Sequence, residues 1–305
     1  MAQKFRGTGV ALITPFKQDG SVDYGALEKL LRFNIENGVN YFVVLGTTGE
    51  SVTLTNDEKR EVWKFVADTV DEEVPLVAGI GGNNTSEVEE QMRNFNTEHY
   101  DAILSVSPYY NKPSQEGLYQ HYMRLAGASP LPIIIYNVPG RTSSNITAET
   151  TLRLANATKR FIGIKEASGN FSQIMRIVKE RLSENFLVIS GDDLITLPLL
   201  SFGCDGVISV VAQAFPKHFS AMVDEALKGK FEEAQKLHYK LLDFMELFFA
   251  EGSPGGVKAA LNILGICENV LRLPLVTISE ELTGKIKSRM EKILNKAMEA
   301  KTNPG

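Results

Sequence analysis

The chain has 305 residues, 43% of them hydrophobic and 23% charged, with 25 Gly, 12 Pro and 2 Cys. These proportions belong to an ordinary globular protein and exclude a collagen-like, coiled-coil or disordered chain. A net charge of −5, with no Lys/Arg run longer than two, excludes the basic stripe that nucleic acid or an anionic membrane needs, so neither is expected as a partner.

The first residues lack the apolar run of a secretory signal, and the longest apolar runs fall far short of the ~20 residues that span a bilayer. A cytoplasmic protein is expected. Cys204 and Cys267 form no CxxC pair and read as reduced thiols.

Short apolar runs, several β-branched, recur along the first two thirds of the chain, each closed by small or turn-forming residues and followed by a helical pattern. They are residues 10–14, 41–45, 76–79, 102–106, 133–137, 161–165, 187–190 and 206–210. Successive starts lie 19 to 35 residues apart, the spacing of units in which each strand needs a crossover helix before its parallel neighbour. Eight such units predict an α/β fold closed as a (β/α)8 TIM barrel. A doubly wound open sheet shares the pattern, but no break in composition marks the point where such a sheet would reverse.

Helix signals fall between the strands. Thr55-Asn-Asp-Glu58 is a capping box ahead of Val62, Phe65, Val66 and Val70 at helical spacing. Thr85 or Ser86 is expected to cap the next helix, and Asp193 one that begins near Leu194. After Phe215 only helices are predicted, at 216–227, 231–249, 256–264 and 279–298. The barrel is therefore placed at 1–228 and a C-terminal helical appendage at 229–305. Leu237, Leu241, Phe244 and Phe248 form a stripe expected to face the barrel or a neighbouring subunit. Residues 302–305 read as a frayed tail.

Metal chemistry has little support. His99, His121, His218 and His238 show no ligand spacing and read as surface or interface residues. Asp192-Asp193 reads as a turn and helix cap, and Gly79-Ile-Gly-Gly82 as a tight turn after the third strand. No metal is expected.

Lys165 stands out because it ends an otherwise apolar strand, Phe161-Ile-Gly-Ile-Lys165. With Ile162 and Ile164 on one parity facing the helices, Phe161, Gly163 and Lys165 share the other, and the amine points into the barrel mouth. Burial there penalises the ammonium form, and a free amine is what Schiff-base chemistry requires. The alternative is a lysine that snorkels from the strand end to water. Tyr136 ends the neighbouring strand, so its phenol is placed to serve as a proton shuttle, unless it merely satisfies its hydroxyl in the core. After the second strand, Gly46-Thr-Thr-Gly-Glu50 offers backbone N–H groups and hydroxyls to a carboxylate, with Glu50 too close to an anion to be its partner. All three features fall at strand C-termini, the face where barrel enzymes keep their chemistry.

Gly46-Thr-Thr-Gly-Glu-Ser51, Ser107-Pro-Tyr-Tyr-Asn-Lys-Pro113, Tyr136-Asn-Val-Pro-Gly-Arg-Thr142, Gly163-Ile-Lys-Glu-Ala167 and Ser190-Gly-Asp-Asp193 occur in that order. Together, from about Gly7 to Leu275, they resemble the dihydrodipicolinate synthase and N-acetylneuraminate lyase family of pyruvate-dependent class I aldolases. The resemblance implies that Lys165 forms an imine with pyruvate, with no separate cofactor, and that the derived enamine attacks L-aspartate 4-semialdehyde. It implies a proton relay of Tyr136, Thr48 and Tyr110, the last reaching in from a partner subunit of a homotetramer built as a dimer of dimers. Thr47 and Thr48 match positions that bind the pyruvate carboxylate, and Arg141 the position that receives the carboxylate of the aldehyde. Gly191 and Ile208 match positions whose backbone lines the pocket. Arg141 favours a small anionic aldehyde over a sugar acid, since the neuraminate lyases lack that arginine.

Ser51, Asn83, Glu87 and Tyr109 match an L-lysine effector site of the family. Asn56 and Lys59, however, stand where a lysine-sensitive type has histidines, and a cation at Lys59 would repel the effector's ammonium. Weak or absent feedback is expected.

Overall fold

The computed structural model describes residues 2–302, with side chains described up to residue 293. Eight parallel strands close into a barrel in chain order. They are β1 (Gly7–Ala11), β2 (Tyr41–Val44), β3 (Leu76–Gly79), β4 (Ala102–Val106), β5 (Ile133–Asn137), β6 (Phe161–Glu166), β7 (Leu187–Ser190) and β8 (Gly206–Ser209). Between them run α1 (Tyr24–Glu36), α2 (Asn56–Val70), α3 (Thr85–Arg93), α4 (Gln115–Ala128), the short α5 (Pro139–Thr142), α6 (Ala148–Ala157), α7 (Phe171–Glu180) and α8 (Thr196–Ser201). After β8 come α9 (Pro216–Leu227), α10 (Phe231–Leu247), α11 (Gly255–Ile263) and α12 (Glu280–Thr302).

Alternation along the strands sorts their side chains into two buried apolar clusters. The inner one takes Ala11, Val43, Val77, Leu104, Ile134, Ile162, Leu187 and Ile208, at least one residue from every strand, and fills the barrel. Phe5 and Ala2, just ahead of β1, plug its lower end, where the Phe5 ring meets Tyr41 edge-on at 5.4 Å. The outer cluster joins the opposite strand faces to the helices and continues without a break into Leu241, Phe244, Ile286 and Met290 of α10 and α12. The apolar stripe of α10 faces the barrel: Phe244 and Phe248 lie 4.4 and 6.4 Å, centroid to centroid, from Phe215.

Several expectations need correction. β1 begins three residues early, because closure against β8 pairs Gly7 with Gly206 and Val10 with Ser209 and so recruits a Gly-Thr-Gly stretch that carries no apolar signal. In β6 the simple parity fails at its start. A register irregularity between Ile133 and Ile134 of β5 turns Phe161 outward and Ile162 inward, while Ile164 stays outward. Thr55 and Glu58 form the expected capping box on α2. The cap of α3 is instead Asn84, which accepts from the Ser86 N–H, and Thr85 turns to His121. Asp193 caps no helix. α8 starts at Thr196, and the Asp193 carboxylate accepts from the N–H groups of Val210 and Val211, tying the end of β7 to the loop after β8. His121 and His238 are buried rather than at the surface, and both cysteines are buried free thiols. The tail expected at 302–305 falls, beyond Thr302, outside the described residues. Among the described residues no helix is long and apolar enough to cross a membrane.

Candidate active site

Lys165 and Tyr136 are register partners on β6 and β5, one residue from the C-terminal ends of both strands. Both point inward, and the Lys165 Nζ stands 4.4 Å from the centroid of the Tyr136 ring. Lys165 is 6% exposed, so the snorkelling alternative does not hold: the amine is enclosed at the mouth of the barrel. Its aliphatic stem lies against Gly191, after β7, where an added Cβ would come within 3.0 Å of Lys165 Cε and 2.7 Å of Ala167 Cβ. Only a residue without a side chain leaves Lys165 its path.

The next register pair, Asn137 and Glu166, alternates to the outer face and is fully buried. Asn137 Nδ2 donates to both Glu166 oxygens at 3.0 and 3.1 Å, Gln173 Nε2 of α7 donates at 2.9 Å, and the Ser168 N–H at 2.9 Å. Burial pushes the Glu166 carboxyl above the usual carboxylate range, and the bonds from Gln173, Ser168 and Asn137 pull it back. This network locks the ends of β5 and β6, and with them the two inward side chains that precede it.

Thr47 and Thr48 sit in a 3₁₀ turn (Thr47–Gly49) directly after the strand-two end, Thr48 buried at 8% exposure and Thr47 open to solvent. Thr14 Oγ1 donates to the Gly49 carbonyl at 2.7 Å and holds the turn against the loop after β1. A cavity of about 460 Å³ opens here, with Gly46, Thr47, Tyr136 and Arg141 among its lining residues. Arg141, itself exposed, reaches it from α5, whose start is set by Pro139. The same cavity continues past Ser51, Lys59, Asn83, Glu87 and Tyr109. Ile208 lies in the barrel interior on β8.

A buried amine beside a phenol at the mouth of a barrel, where that phenol shares a cavity with the hydroxyl-bearing turn after β2, is an arrangement for imine chemistry on a small carboxylate. A family model described as the dihydrodipicolinate synthetase family matches residues 4–293. The chain belongs to that family. The 4-hydroxy-tetrahydrodipicolinate synthase of Flavobacterium psychrophilum is 52% identical over 284 residues, covering 93% of this chain and 97% of the relative. The crystal structure of the dihydrodipicolinate synthase from Aquifex aeolicus superposes with a TM-score of 0.91 at 42% identity, over 95% of this chain and 98% of that one. That of the Acinetobacter baumannii enzyme, complexed with pyruvate, gives 0.90 at 38% identity, over 94% and 98%.

Against this family background two placements matter. Tyr110 is not gathered with Lys165 and Tyr136: it is 89% exposed on the loop after β4, with φ +72°. Lys59 does enter the cavity beside Glu87, and burial lowers its amine below the ordinary lysine value. The residues that the sequence does not single out are Asn137, Glu166 and Gln173, together with Lys258 and Arg272, which reach Glu50 from the far end of the chain.

Proposed function

We propose that the protein condenses pyruvate with L-aspartate 4-semialdehyde to 4-hydroxy-tetrahydrodipicolinate, the first committed step of the diaminopimelate route to lysine. The observation that carries this reading is the enclosed Lys165 amine over the Tyr136 ring, at paired strand ends in the barrel mouth. Lys165 attacks the keto carbon of pyruvate, and loss of water leaves an imine. Loss of a proton from the pyruvate methyl gives an enamine, whose carbon bonds to the aldehyde carbon and turns the aldehyde oxygen into the 4-hydroxyl. The amino group of the semialdehyde then displaces Lys165 from the imine carbon, which closes the ring and frees the enzyme with one water released overall.

In this reading Tyr136 and Thr48 pass protons to and from the reacting oxygen and nitrogen, and the N–H groups and hydroxyls of Thr47 and Thr48 hold the pyruvate carboxylate. Arg141 takes the carboxylate of the semialdehyde as a two-pronged donor, the backbone at Gly191 and Ile208 lines the pocket, and no cofactor beyond the covalent imine is needed. Tyr110, exposed on one chain, completes the relay of a neighbour in a homotetramer arranged as a dimer of dimers. Residues 1–228 act as the barrel and 229–305 as helices packed on it, in a cytoplasmic enzyme. Ser51, Asn83, Glu87 and Tyr109 form an effector pocket that Lys59 makes a poor receptor for L-lysine.

Incubation with pyruvate followed by borohydride, with the adduct mapped by peptide mass, tests the reading. A reduced adduct on Lys165 is expected in the native chain and none in Lys165→Ala. An adduct elsewhere, or none in the native chain, removes the mechanism. Turnover with aspartate semialdehyde and none with N-acetylneuraminate is the expected choice between the two kinds of aldolase.

A further inference from the structure

Glu50 closes the turn that carries Thr47 and Thr48, and its carboxylate is met by groups more than two hundred residues away. The Lys258 Nζ of α11 lies 2.5 Å from Glu50 Oε1, with both side chains 0% exposed. The same Nζ donates to the Val270 carbonyl at 2.8 Å and stands 4.2 Å from the centroid of the Phe16 ring. The other Glu50 oxygen accepts from the Arg272 N–H at 3.1 Å, while the Arg272 guanidinium donates to the carbonyls of Thr53 and Gly20 and to Glu58. Glu50 itself is held at φ +51°, a left-handed conformation that a non-glycine residue keeps only when its surroundings enforce it.

A fully buried ion pair adds little stability over apolar side chains of the same volume, because desolvating two charges offsets their attraction. What it adds is a fixed position. We propose that Lys258 is a positioning residue for the carboxylate-binding turn. Paired with Glu50, it sets Thr47 and Thr48 where they receive the keto acid, which makes the C-terminal helices part of the site rather than an appendage to it. The inference rests on the proposed role of that turn in pyruvate binding.

Lys258→Met alone leaves Glu50 buried without a counter-ion and destabilises the chain. The double variant Glu50→Gln/Lys258→Met removes both charges at nearly constant volume and separates position from stability. Its melting temperature is expected to stay close to that of the native chain. Its KM for pyruvate is expected to rise roughly tenfold or more, with the KM for the aldehyde changed less than about twofold. A pyruvate KM within about twofold of native in the double variant overturns the inference and leaves Lys258 a stability residue only. Borohydride trapping of the native chain is the control: a missing native adduct on Lys165 overturns the functional reading itself, whereas a native adduct with an unchanged pyruvate KM in the variant overturns the role of Lys258 alone.

Discussion

Gly191 governs the space beside Lys165. A methyl group there would press on Ala167 Cβ and on the Lys165 stem at once, and a shift of that stem moves the amine relative to Tyr136. Gly191→Ala is therefore expected to lower kcat/KM by about a hundredfold, the scale of a 1 Å misplacement, while thermal unfolding moves little. Steady-state kinetics and a melting curve check both halves. Arg141, by contrast, is an exposed residue of α5 at the rim of the cavity. Arg141→Ala should leave pyruvate trapping on Lys165 intact and raise the KM for the aldehyde by roughly tenfold, with Arg141→Lys in between because an ammonium lacks the planar fork. Lys165→Arg should trap no pyruvate at all, since a guanidinium stays protonated.

At the scale of elements, α3 and α4 meet through a buried histidine. Thr85 Oγ1 lies 2.9 Å from His121 Nδ1, and burial pushes the imidazole down from 6.5 to about 4. Between those values the unfolded chain takes up a proton that the folded chain refuses, so stability falls as the pH drops from 6.5 through 4. The shift corresponds to a penalty of about 3 kcal/mol, absent above pH 6.5 and in force by pH 4. Asp193, pushed up to about 6 by burial, acts with the opposite sign over part of the same window, because its folded form gains the proton first. The difference between the native chain and His121→Gln isolates the histidine: denaturant unfolding at pH 7 and pH 4 should show the variant losing about 3 kcal/mol less. Equal losses would mean that His121 opens to solvent before it is protonated.

The same scale explains what could be read from the amino acids. β3, β4, β5 and β7 coincide with their apolar runs because parallel strands covered on both faces must be apolar on both parities. Lys165 and Tyr136 were legible for the same reason, as polar residues at the ends of such runs. β1 was displaced because its first half, Gly7-Thr-Gly9, is chosen for closure against β8 rather than for hydrophobicity. The inversion of Phe161 and Ile162 follows from a local register irregularity that alternation cannot anticipate. Lys258 left no local trace: it lies in an apolar helix, and only the closed fold brings it to a turn 208 positions earlier.

For the whole molecule, Tyr110 poses the sharpest question. The Tyr110 side chain, 89% exposed on a left-handed residue, lies outside the cavity that holds Tyr136 and Arg141 in its own chain. If it completes the relay of a neighbour across a two-fold axis, then chains carrying Tyr110→Phe and chains carrying Lys165→Ala are defective for different reasons and can repair one another. In a mixed dimer one site pairs the intact Lys165 of the first chain with the intact Tyr110 of the second, while the other site has lost both. Random exchange of equal amounts makes half the dimers mixed, with one sound site of two, so about a quarter of native activity should return. Lys165→Ala alone should be inactive, and Tyr110→Phe alone should fall roughly tenfold or more in kcat. Mixing after mild dissociation, with turnover read against the unmixed variants, decides the matter. Once subunit exchange is verified, activity equal to the average of the two separate preparations would place Tyr110 outside a neighbour's relay.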